Sequence, residues 1–206
     1  MELSEALRRR RMTRSYAPER PVPDAALELV LAAALRAPSA GFTQAVSLLV
    51  LTEAVDREVF WSATARGSSR WLTGMRTAPV LVPVWTDRNA YLDRYAEPDK
   101  GWSDRDPGRW SAPYWFVDAG MAAMAALLTA TDLGLGACFF GVPVDRVDAV
   151  RAAFAVPEDQ LSVGVLSLGY PAAAVATTGS ATRRPRKPAA ALVHHSRWSD
   201  GSGSDL

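Results

Sequence analysis

The chain of 206 residues is long enough for one domain with a full hydrophobic core and short for two independent ones. Its 49% hydrophobic and 22% charged residues are close to globular averages, which excludes wholesale disorder and the fibrous classes. Lys and Arg number 23 against 22 Asp and Glu, which argues against a strongly basic nucleic-acid-binding domain.

The positive charge is concentrated in two runs near the ends of the chain. They are RRRRMTR at residues 8–14 and RRPRKP at residues 183–188, and together they hold nine of the 23 cations. The remaining 14 cations face 22 carboxylates, so the rest of the chain carries a net charge of −8. Two compact basic runs on an acidic body suit one small, multiply charged ligand better than a polyanion lattice. We therefore expect no nucleic-acid partner.

Few side chains offer chemistry of their own. The single cysteine, Cys138, excludes an intramolecular disulfide and a cysteine-based metal site. The only histidines, His194 and His195, are adjacent and would point to opposite sides of an extended segment, which argues against a metal site or a catalytic triad. We expect no metal, and a bound cofactor that carries the reactivity. The N-terminus has no apolar stretch behind its arginines, so we expect a cytoplasmic protein.

The first part of the chain predicts alternating helices and strands. The elements predicted before residue 88 are a short helix capped by Ser4, a helix capped by Asp24, a strand over 46–52, helices over 55–65 and 69–76, and a strand over 78–86. The first strand, VSLLVLT, is apolar nearly throughout, which predicts burial on both faces. Pro83 in the second indicates an edge position or a bulge, because proline donates no ladder hydrogen bond.

Residues 88–113 differ in character from the rest. They are polar, rich in turn-forming residues, and contain Trp102 and Trp110. A long irregular segment inside a compact domain is typically a functional lid or is disordered. Because disordered segments are poor in aromatic residues, we expect a variable lid segment here.

Residues 114–134 form the most uniform helical pattern in the chain. Their length and apolar character would suit a membrane span, but Asp118 and Asp132 lie inside the segment and alanine dominates it. Small residues let helices approach closely, so we predict a buried core helix or a dimer interface and no membrane partner.

The last part of the chain completes a small sheet. GLGACFFG at 134–141 ends the long helix and enters a short strand, an order that excludes a dinucleotide fingerprint, which needs strand, glycines and then helix. A helix near 144–154 and a strand over 161–168 follow. We predict one α+β domain over 1–198 with a small mixed central sheet surrounded by helices, a C-terminal arm without a place on its own core, and a flexible tail over 199–206.

Four motifs taken in order resemble the FMN-dependent nitroreductase family. They are RRRRMTRSY near the N-terminus, APSAGFTQ about 25 residues later, GLGACFFG after the small-residue helix, and RRPRKP followed by ALVHHSRW. The correspondence covers nearly the whole chain apart from 88–113 and the last few residues. It implies an intertwined homodimer with two FMN molecules at the subunit interface, and a C-terminal arm exchanged onto the partner.

The resemblance also implies which residues bind the flavin. The implied FMN-binding residues are Arg10, Arg11, Met12, Arg14, Ser39, Gln44, Phe140, Gly141, Arg184 and Arg186. Guanidinium groups match phosphate oxygens with paired charge-assisted hydrogen bonds, whereas Arg8 and Arg9 fit a solvated helix face better. Backbone N–H groups near Phe140 and Gly141 would lie at the flavin N5 and O4 edge.

The sequence departs from the family at two of these motifs. Met12 stands where the family often has serine, and Phe42 where it often has asparagine, which leaves fewer polar contacts to the flavin. The implied substrate pocket comprises Phe42, Trp102, Trp110 and Tyr114, since planar substrates stack well on aromatic rings. Packing in the core is the alternative for Tyr114.

The implied activity is an NAD(P)H oxidoreductase that reduces nitroaromatic, quinone or enone-type molecules by a ping-pong mechanism. A biosynthetic flavin-dependent dehydrogenase or oxidase for one metabolite, and a flavin-binding protein without turnover, are the alternatives. A restrictive aromatic lid over 88–113 would favour a dedicated substrate, and an open cleft would favour a broad reductase.

Overall fold

The computed structural model describes residues 1–173 and 184–198. The chain divides into two compact units, residues 1–173 and residues 174–206. The tail predicted over 199–206 lies outside the described residues, and the single domain predicted over 1–198 stays a prediction. The second unit contains one short 3-10 turn, Ala189–Ala191, within its described segment.

Seven α-helices lie in the part of the chain that the structure describes. They are α1 (Leu3–Arg9), α2 (Asp24–Leu35), α3 (Ala54–Thr64), α4 (Arg70–Met75), α5 (Arg88–Ala96), α6 (Tyr114–Asp132) and α7 (Val147–Ala153). The helices predicted near 55–65, 69–76, 114–134 and 144–154 are confirmed within a few residues at their ends. The final one begins with a 3-10 turn, Val144–Arg146.

Within the described residues, four strands form one sheet in the order β1-β2-β4-β3. They are β1 (Val46–Leu48), β2 (Val80–Asp87), β3 (Gly136–Phe140) and β4 (Gln160–Gly169). Every strand pair is antiparallel, and a parallel bridge joins Met12 to Ala137 of β3. The predicted α+β class with a small central sheet and surrounding helices is confirmed, whereas the sheet, predicted to be mixed, is antiparallel at every strand pair.

The two faces of the sheet pack against different helices. Val30 of α2 and Ala126 of α6 belong to a cluster that includes Val82, whereas Phe60 of α3 and Val150 of α7 belong to one that includes Leu81. Neighbouring residues of a strand point to opposite faces, so β2 is covered on both sides. The sheet is thus the middle layer of the unit.

The strand predicted over 46–52 is wrong in extent and burial. β1 has three residues, and Ser47 is exposed. β1 lies at the edge of the sheet and pairs only with β2 among the described strands, so no strand of the sheet covers its other edge. The apolar run VSLLVLT therefore forms an edge strand. Beyond the end of β1, Leu51 makes a further antiparallel bridge to Leu81 of β2.

Pro83 lies in the central strand β2, so the predicted edge position is wrong. The alternative, a bulge, is confirmed between Val84 and Trp85, where the register with β4 shifts. The Pro83 carbonyl still accepts a hydrogen bond from the Leu49 N–H at 3.0 Å. The strand accommodates proline because the neighbouring irregularity relieves the regular ladder.

The two predicted helix caps are wrong by one or two positions. Glu2 occupies the cap position of α1 and Pro23 that of α2, and neither side chain makes a capping hydrogen bond. Ser4 lies inside α1, and Asp24 is the first residue of α2. An acidic residue in the first turn is still favourable, because it faces the positive end of the helix dipole.

Residues 88–113 are more regular than predicted. The first nine form α5, whose start is capped by Asp87, with the Oδ1 atom accepting from the Asn89 N–H at 2.7 Å. The remainder contains a 3-10 turn, Pro107–Arg109. The sequence did not predict α5 because polar residues dominate this helix, and only two of its side chains, Tyr91 and Leu92, are buried.

The helix α6 is the central helix of the unit. By length and composition it could cross a membrane, but it packs against α2 and the sheet, and 44% of its most apolar window is buried in this single chain. Gly134, with φ +73°, follows it in the left-handed conformation that commonly ends helices. A stripe of apolar side chains stays exposed on α6, comprising Tyr114, Phe116, Val117, Met121 and Met124.

Candidate functional site

The basic N-terminal run continues into an extended segment alongside β3. Met12 is bridged to Ala137, and the Thr13 N–H donates to the Ala137 carbonyl at 2.9 Å. The segment that carries Arg10 and Arg14 is therefore fixed beside the strand that ends at Phe140. The motifs RRRRMTRSY and GLGACFFG are thereby brought together.

Two glycines make room for this segment. A Cβ atom on Gly136 of β3 would lie 2.7 Å from Thr13 Oγ1, and one on Gly74 of α4 would overlap the Arg14 carbonyl oxygen. Either contact is closer than real Cβ atoms adopt, so any side chain at these positions would displace the basic segment. It is held between α4 and β3.

Tyr16 anchors the end of the basic segment inside the core. Its side chain is 1% exposed, and its hydroxyl donates to the Thr13 carbonyl at 2.7 Å and lies 2.7 Å from Ser167 Oγ. Burial raises the pKa of Tyr16 well above its usual range, so the phenol stays protonated and remains a donor. The Tyr16 N–H donates to Thr77 Oγ1 at 2.8 Å.

The arginines of the run fall into two groups. Arg8, Arg9 and Arg11 make local contacts: to the Ser4 carbonyl, to Glu5 at 3.1 Å and to the Arg10 carbonyl at 3.0 Å, respectively. By contrast, Arg10 Nη1 is buried without a hydrogen-bond partner. The exposed Arg14 side chain makes no hydrogen bond or ion pair with any residue the structure describes. Arg10 and Arg14 therefore have donors available for an anion.

The second motif forms a tight loop, Ser39–Gln44, around a 3-10 turn. Ser39 Oγ accepts from the Gln44 N–H at 3.0 Å, which closes the loop on itself. Gly41, Phe42 and Gln44 have φ values of +62°, +57° and +56°. Phe42 is 75% exposed, so its left-handed backbone brings no burial of its ring. A bulky residue in this region is uncommon and marks a constrained site.

The loop opens onto a cavity of about 190 Å³ between α2, β1 and α6. Its lining residues are Ala34, Leu35, Ala37, Pro38, Ser39, Gln44, Val46, Asp118 and Ala122. Ser39 and Gln44, which the sequence predicts as flavin contacts, thus face one space together. Asp118 was not predicted, although a lone carboxylate within an alanine-rich helix was a signal for it.

A second cavity of about 200 Å³ adjoins the end of β3. It is lined by Phe60, Trp61, Thr64, Ala65, Arg66, Ser69, Trp71, Leu72, Phe140, Gly141, Val142 and Pro143. Phe140 stacks on Trp61, with ring centroids 5.8 Å apart and an angle of 10° between the planes, and meets Trp71 edge-on at 5.4 Å. We call Trp61, Trp71 and Phe140 the cavity cluster.

One charged group takes part in lining this second cavity. Arg66 forms an ion pair with Asp145, which follows the β3 end by a few residues. The guanidinium holds the pKa of the Asp145 carboxyl below its usual range, chiefly through their hydrogen bond. The two tryptophans and Arg66 were not predicted as site residues, because Trp61 and Trp71 stand in ordinary helical patterns and Arg66 lies in the short connection between α3 and α4, where no recognised motif marks a site.

The aromatic residues predicted as the substrate wall lie in a different cluster. Trp102 and Trp110 pack on Tyr95 at centroid distances of 5.0 and 4.3 Å, and Trp110 contacts Tyr114 at 5.5 Å. We call these four residues the packed cluster. None of them lines either of the two cavities. Phe42 belongs to neither cluster, so the four predicted substrate residues are not brought together.

Arg184 and Arg186 belong to the second unit. Both side chains are exposed in the described segment 184–198, where His194 stacks on Trp198 with ring centroids 4.1 Å apart. Their predicted role at the flavin phosphate stays a prediction. Among the described residues, no three His, Cys, Asp or Glu side chains are grouped so that they could hold a metal ion.

The arrangement defines a class: an antiparallel sheet between helices, with a basic N-terminal strand fixed beside a strand that ends in a glycine turn. The nitroreductase family model matches residues 7–170, so the chain belongs to the nitroreductase family. A Methanothermobacter thermautotrophicus protein named as an NADH dehydrogenase/NAD(P)H nitroreductase is 30% identical over 84% of this chain and 78% of its own length.

Solved structures share the fold. B. megaterium NfrA2 superposes with a TM-score of 0.74 at 22% identity, covering 97% of this chain and 76% of that one. A Desulfovibrio desulfuricans nitroreductase in complex with FMN superposes with a TM-score of 0.66 at 24% identity, covering 91% and 98% of the two chains. At these identities the likeness concerns the fold alone.

Proposed function

We propose that the protein is an FMN-dependent NAD(P)H oxidoreductase that reduces small planar acceptors such as nitroaromatics and quinones. The observation that carries this proposal is the fixed position of Arg10 and Arg14, both with unpaired donors, beside the strand that ends at Phe140 and Gly141. Family membership supports the reaction class. The named relative supports the NAD(P)H donor, and the FMN-bound neighbour supports the cofactor.

The residues present fit an anionic cofactor. Arg10 Nη1 is a buried donor without a partner, which is costly unless an acceptor reaches it. A phosphate supplies such acceptors, and Arg14 would bind it from the exposed side. We assign Arg184 and Arg186 to the same phosphate, and Ser39 and Gln44 to polar atoms of the flavin.

The glycine turn after β3 would meet the reactive edge of the cofactor. No atom lies within 4 Å of a Cβ position on Gly141, so this backbone is open to a close approach. Its N–H and that of Phe140 would stabilise negative charge there. When bound, FMN supplies the two-electron chemistry, accepting electrons from NAD(P)H and passing them to the acceptor. The protein's own residues would bind and orient the cofactor and the acceptor.

We assign the acceptor to the second cavity. Its volume of about 200 Å³ is below the ~300–1,000 Å³ of drug-sized ligand pockets, which suits a one- or two-ring molecule. The cavity cluster supplies flat faces for stacking, and Gly141 places the cavity beside the proposed reactive edge. Segment 88–113 lines neither cavity, which favours a broad reductase over a dehydrogenase dedicated to one metabolite.

We further propose a homodimer. The exposed apolar stripe on α6 repeats at helical spacing, and Leu35 of the neighbouring α2 is also exposed. A continuous apolar patch of this kind typically marks an interaction surface. The exchanged C-terminal arm belongs to this proposal, as does the cytoplasmic location expected from the sequence.

Anaerobic titration tests the activity. The purified protein is loaded with FMN and titrated with NADH and, separately, with NADPH while the flavin absorption band is followed. We expect the band to bleach with at least one donor and to return when a nitroaromatic acceptor is added. A protein that retains FMN but bleaches with neither donor would be a flavin-binding protein without this turnover.

A further inference from the structure

Three side chains outside the predicted site hold the loop Ser39–Gln44. The Asp118 carboxylate of α6 accepts from the Ala40 N–H at 2.7 Å and from the Tyr91 hydroxyl at 2.8 Å through the same oxygen, Oδ2. Arg94 of α5 donates through Nε to the Gly41 carbonyl at 2.8 Å. We call Asp118, Tyr91 and Arg94 the loop brace.

The brace is built from charged groups in fixed orientations. Asp118 is 2% exposed, and a buried carboxylate is tolerated only where hydrogen bonds compensate its lost hydration. Arg94 is oriented by Asp99, which accepts from both terminal nitrogens at 2.7 and 2.8 Å. Charge-assisted hydrogen bonds are shorter and stronger than neutral ones, so the loop is held at the Ala40 N–H and at the Gly41 carbonyl.

The loop needs such support because its backbone is strained. Phe42 and Gln44 are non-glycine residues at φ +57° and +56°, a conformation that persists only when the surroundings impose it. α5 packs directly on the loop, since a Cβ on Gly41 would lie 2.8 Å from Tyr95 Cε2. Segment 88–113 thus begins with a helix that supports the loop.

We propose that Asp118, Tyr91 and Arg94 are positioning residues that hold Ser39 and Gln44 in place for flavin binding. The proposal rests on the proposed function, because it takes Ser39 and Gln44 as flavin contacts. Tyr91 and Arg94 act through Asp118 and the loop, and Asp118 both holds the loop and lines the same cavity as Ser39 and Gln44. The variable segment then has a defined role as the support of a binding loop.

The first test replaces Asp118 by Asn and measures FMN affinity from the quenching of flavin fluorescence. We expect Asp118→Asn to weaken FMN binding about tenfold, because it converts two charge-assisted hydrogen bonds into neutral ones. The matched control is Asp132→Asn, the same change at an exposed position on the same helix, with unchanged affinity expected. Thermal unfolding of both FMN-free variants is recorded in parallel.

A double-mutant cycle separates positioning from general destabilisation. Ser39→Ala removes the proposed flavin contact, and the effect of Asp118→Asn on FMN affinity is measured again in that background. If Asp118 acts through the position of Ser39, the two losses are non-additive and the double variant binds little worse than Ser39→Ala alone. Additive losses would overturn the proposal, since they would place the effect of Asp118 elsewhere.

Milder variants keep the test open if Asp118→Asn does not fold. Tyr91→Phe removes one donor to the carboxylate, and Arg94→Lys is matched by Arg109→Lys, whose ion pair with Asp104 makes no contact with the loop. We expect Tyr91→Phe and Arg94→Lys to bind FMN more weakly than wild type. The control Arg109→Lys should bind FMN with unchanged affinity. Wild-type protein that does not bind FMN would refute the proposed function. Normal binding by all brace variants, alongside weakened binding by Ser39→Ala, would refute only the positioning role.

Discussion

The cavity cluster and the packed cluster are both rich in tryptophan, and they differ in what surrounds the rings. In the cavity cluster, Trp61, Trp71 and Phe140 leave about 200 Å³ open beside Gly141. In the packed cluster, Trp110 lies between Tyr95, Trp102 and Tyr114 at centroid distances of 4.3, 5.3 and 5.5 Å. The rings of the packed cluster fill the space between them, whereas the rings of the cavity cluster leave an open cavity.

The comparison shows that aromatic composition does not distinguish a binding wall from a folded segment. Trp102 and Trp110 stand in a polar stretch, which favours a lid when read from sequence, yet they stabilise the segment that carries α5. Trp61 and Trp71 stand in ordinary helical patterns, which favour core packing, yet they line a cavity. The distinction depends on whether neighbouring rings fill the space, and truncation of one tryptophan from each cluster tests it.

The largest effect is expected from Trp110→Ala. The substitution leaves a hole between five aromatic neighbours, so the free energy of unfolding should fall by about 3 kcal/mol, the low end for large aromatic truncations, because Trp110 is partly exposed. Chemical denaturation of the FMN-free protein measures it, with the exposed Trp198→Ala as control. An unchanged stability with a raised KM for acceptors would instead make the packed cluster a substrate wall.

Trp71→Ala is expected to act on binding more than on folding. Trp71 is 40% exposed, and its loss removes a stacking face, so the KM for a nitroaromatic acceptor should rise roughly three- to tenfold. Steady-state kinetics at saturating NAD(P)H measures the change, with stability followed by denaturation. A loss of stability as large as that of Trp110→Ala, with no change in KM, would remove the difference between the clusters.

A smaller effect is expected from Asp145→Asn at the second cavity. The substitution releases Arg66 from its ion pair, so an anionic acceptor such as a nitrobenzoate should bind about two- to threefold better than before. A neutral nitrobenzamide serves as the control substrate, with little change expected. Equal changes for both substrates would show that Arg66 does not face the acceptor.

The smallest effect concerns pH and the ion pair beside the packed cluster. Arg94 holds the pKa of Asp99 below its usual value of 3.8, chiefly through their hydrogen bonds. Because the folded pKa is depressed, the pair contributes stability above 3.8 and loses it as the pH falls through the folded value. Wild-type protein should melt slightly above Asp99→Asn at pH 7, and the gap should close as the pH falls below 3.8 and through the lowered folded pKa. A gap that persists in acid would contradict this.

The sequence predicted the fold class and most elements because these depend on local periodicity and spacing. It also predicted that Arg10 and Arg14 differ from Arg8 and Arg9. In the structure Arg10 Nη1 is a buried donor without a partner, and the assignment of both arginines to the flavin phosphate stays a prediction. The sequence could not place β1 at the edge, since an apolar run looks alike wherever the sheet puts it.

The loop brace lay beyond sequence reasoning for a different reason. Asp118 and Ala40 are 78 positions apart, and no periodicity links a carboxylate on one helix to a peptide group in a distant loop. The positive φ values at Phe42 and Gln44 were equally hidden, because neither residue type favours that conformation. Such features arise from tertiary contacts, which override local preference.

The threading of the basic segment between Gly74 and Gly136 bears on the order of folding. Met12, Tyr16 and Ala17 make backbone contacts with Ala137, Pro171 and Tyr170, so the pairing spans most of the first unit. Contacts of such sequence separation form late and slow the search for the native state. During synthesis the arginines leave the ribosome first, yet their place is complete only when residue 171 has followed. The proposed cofactor site is therefore expected among the last parts of the newly made chain to mature.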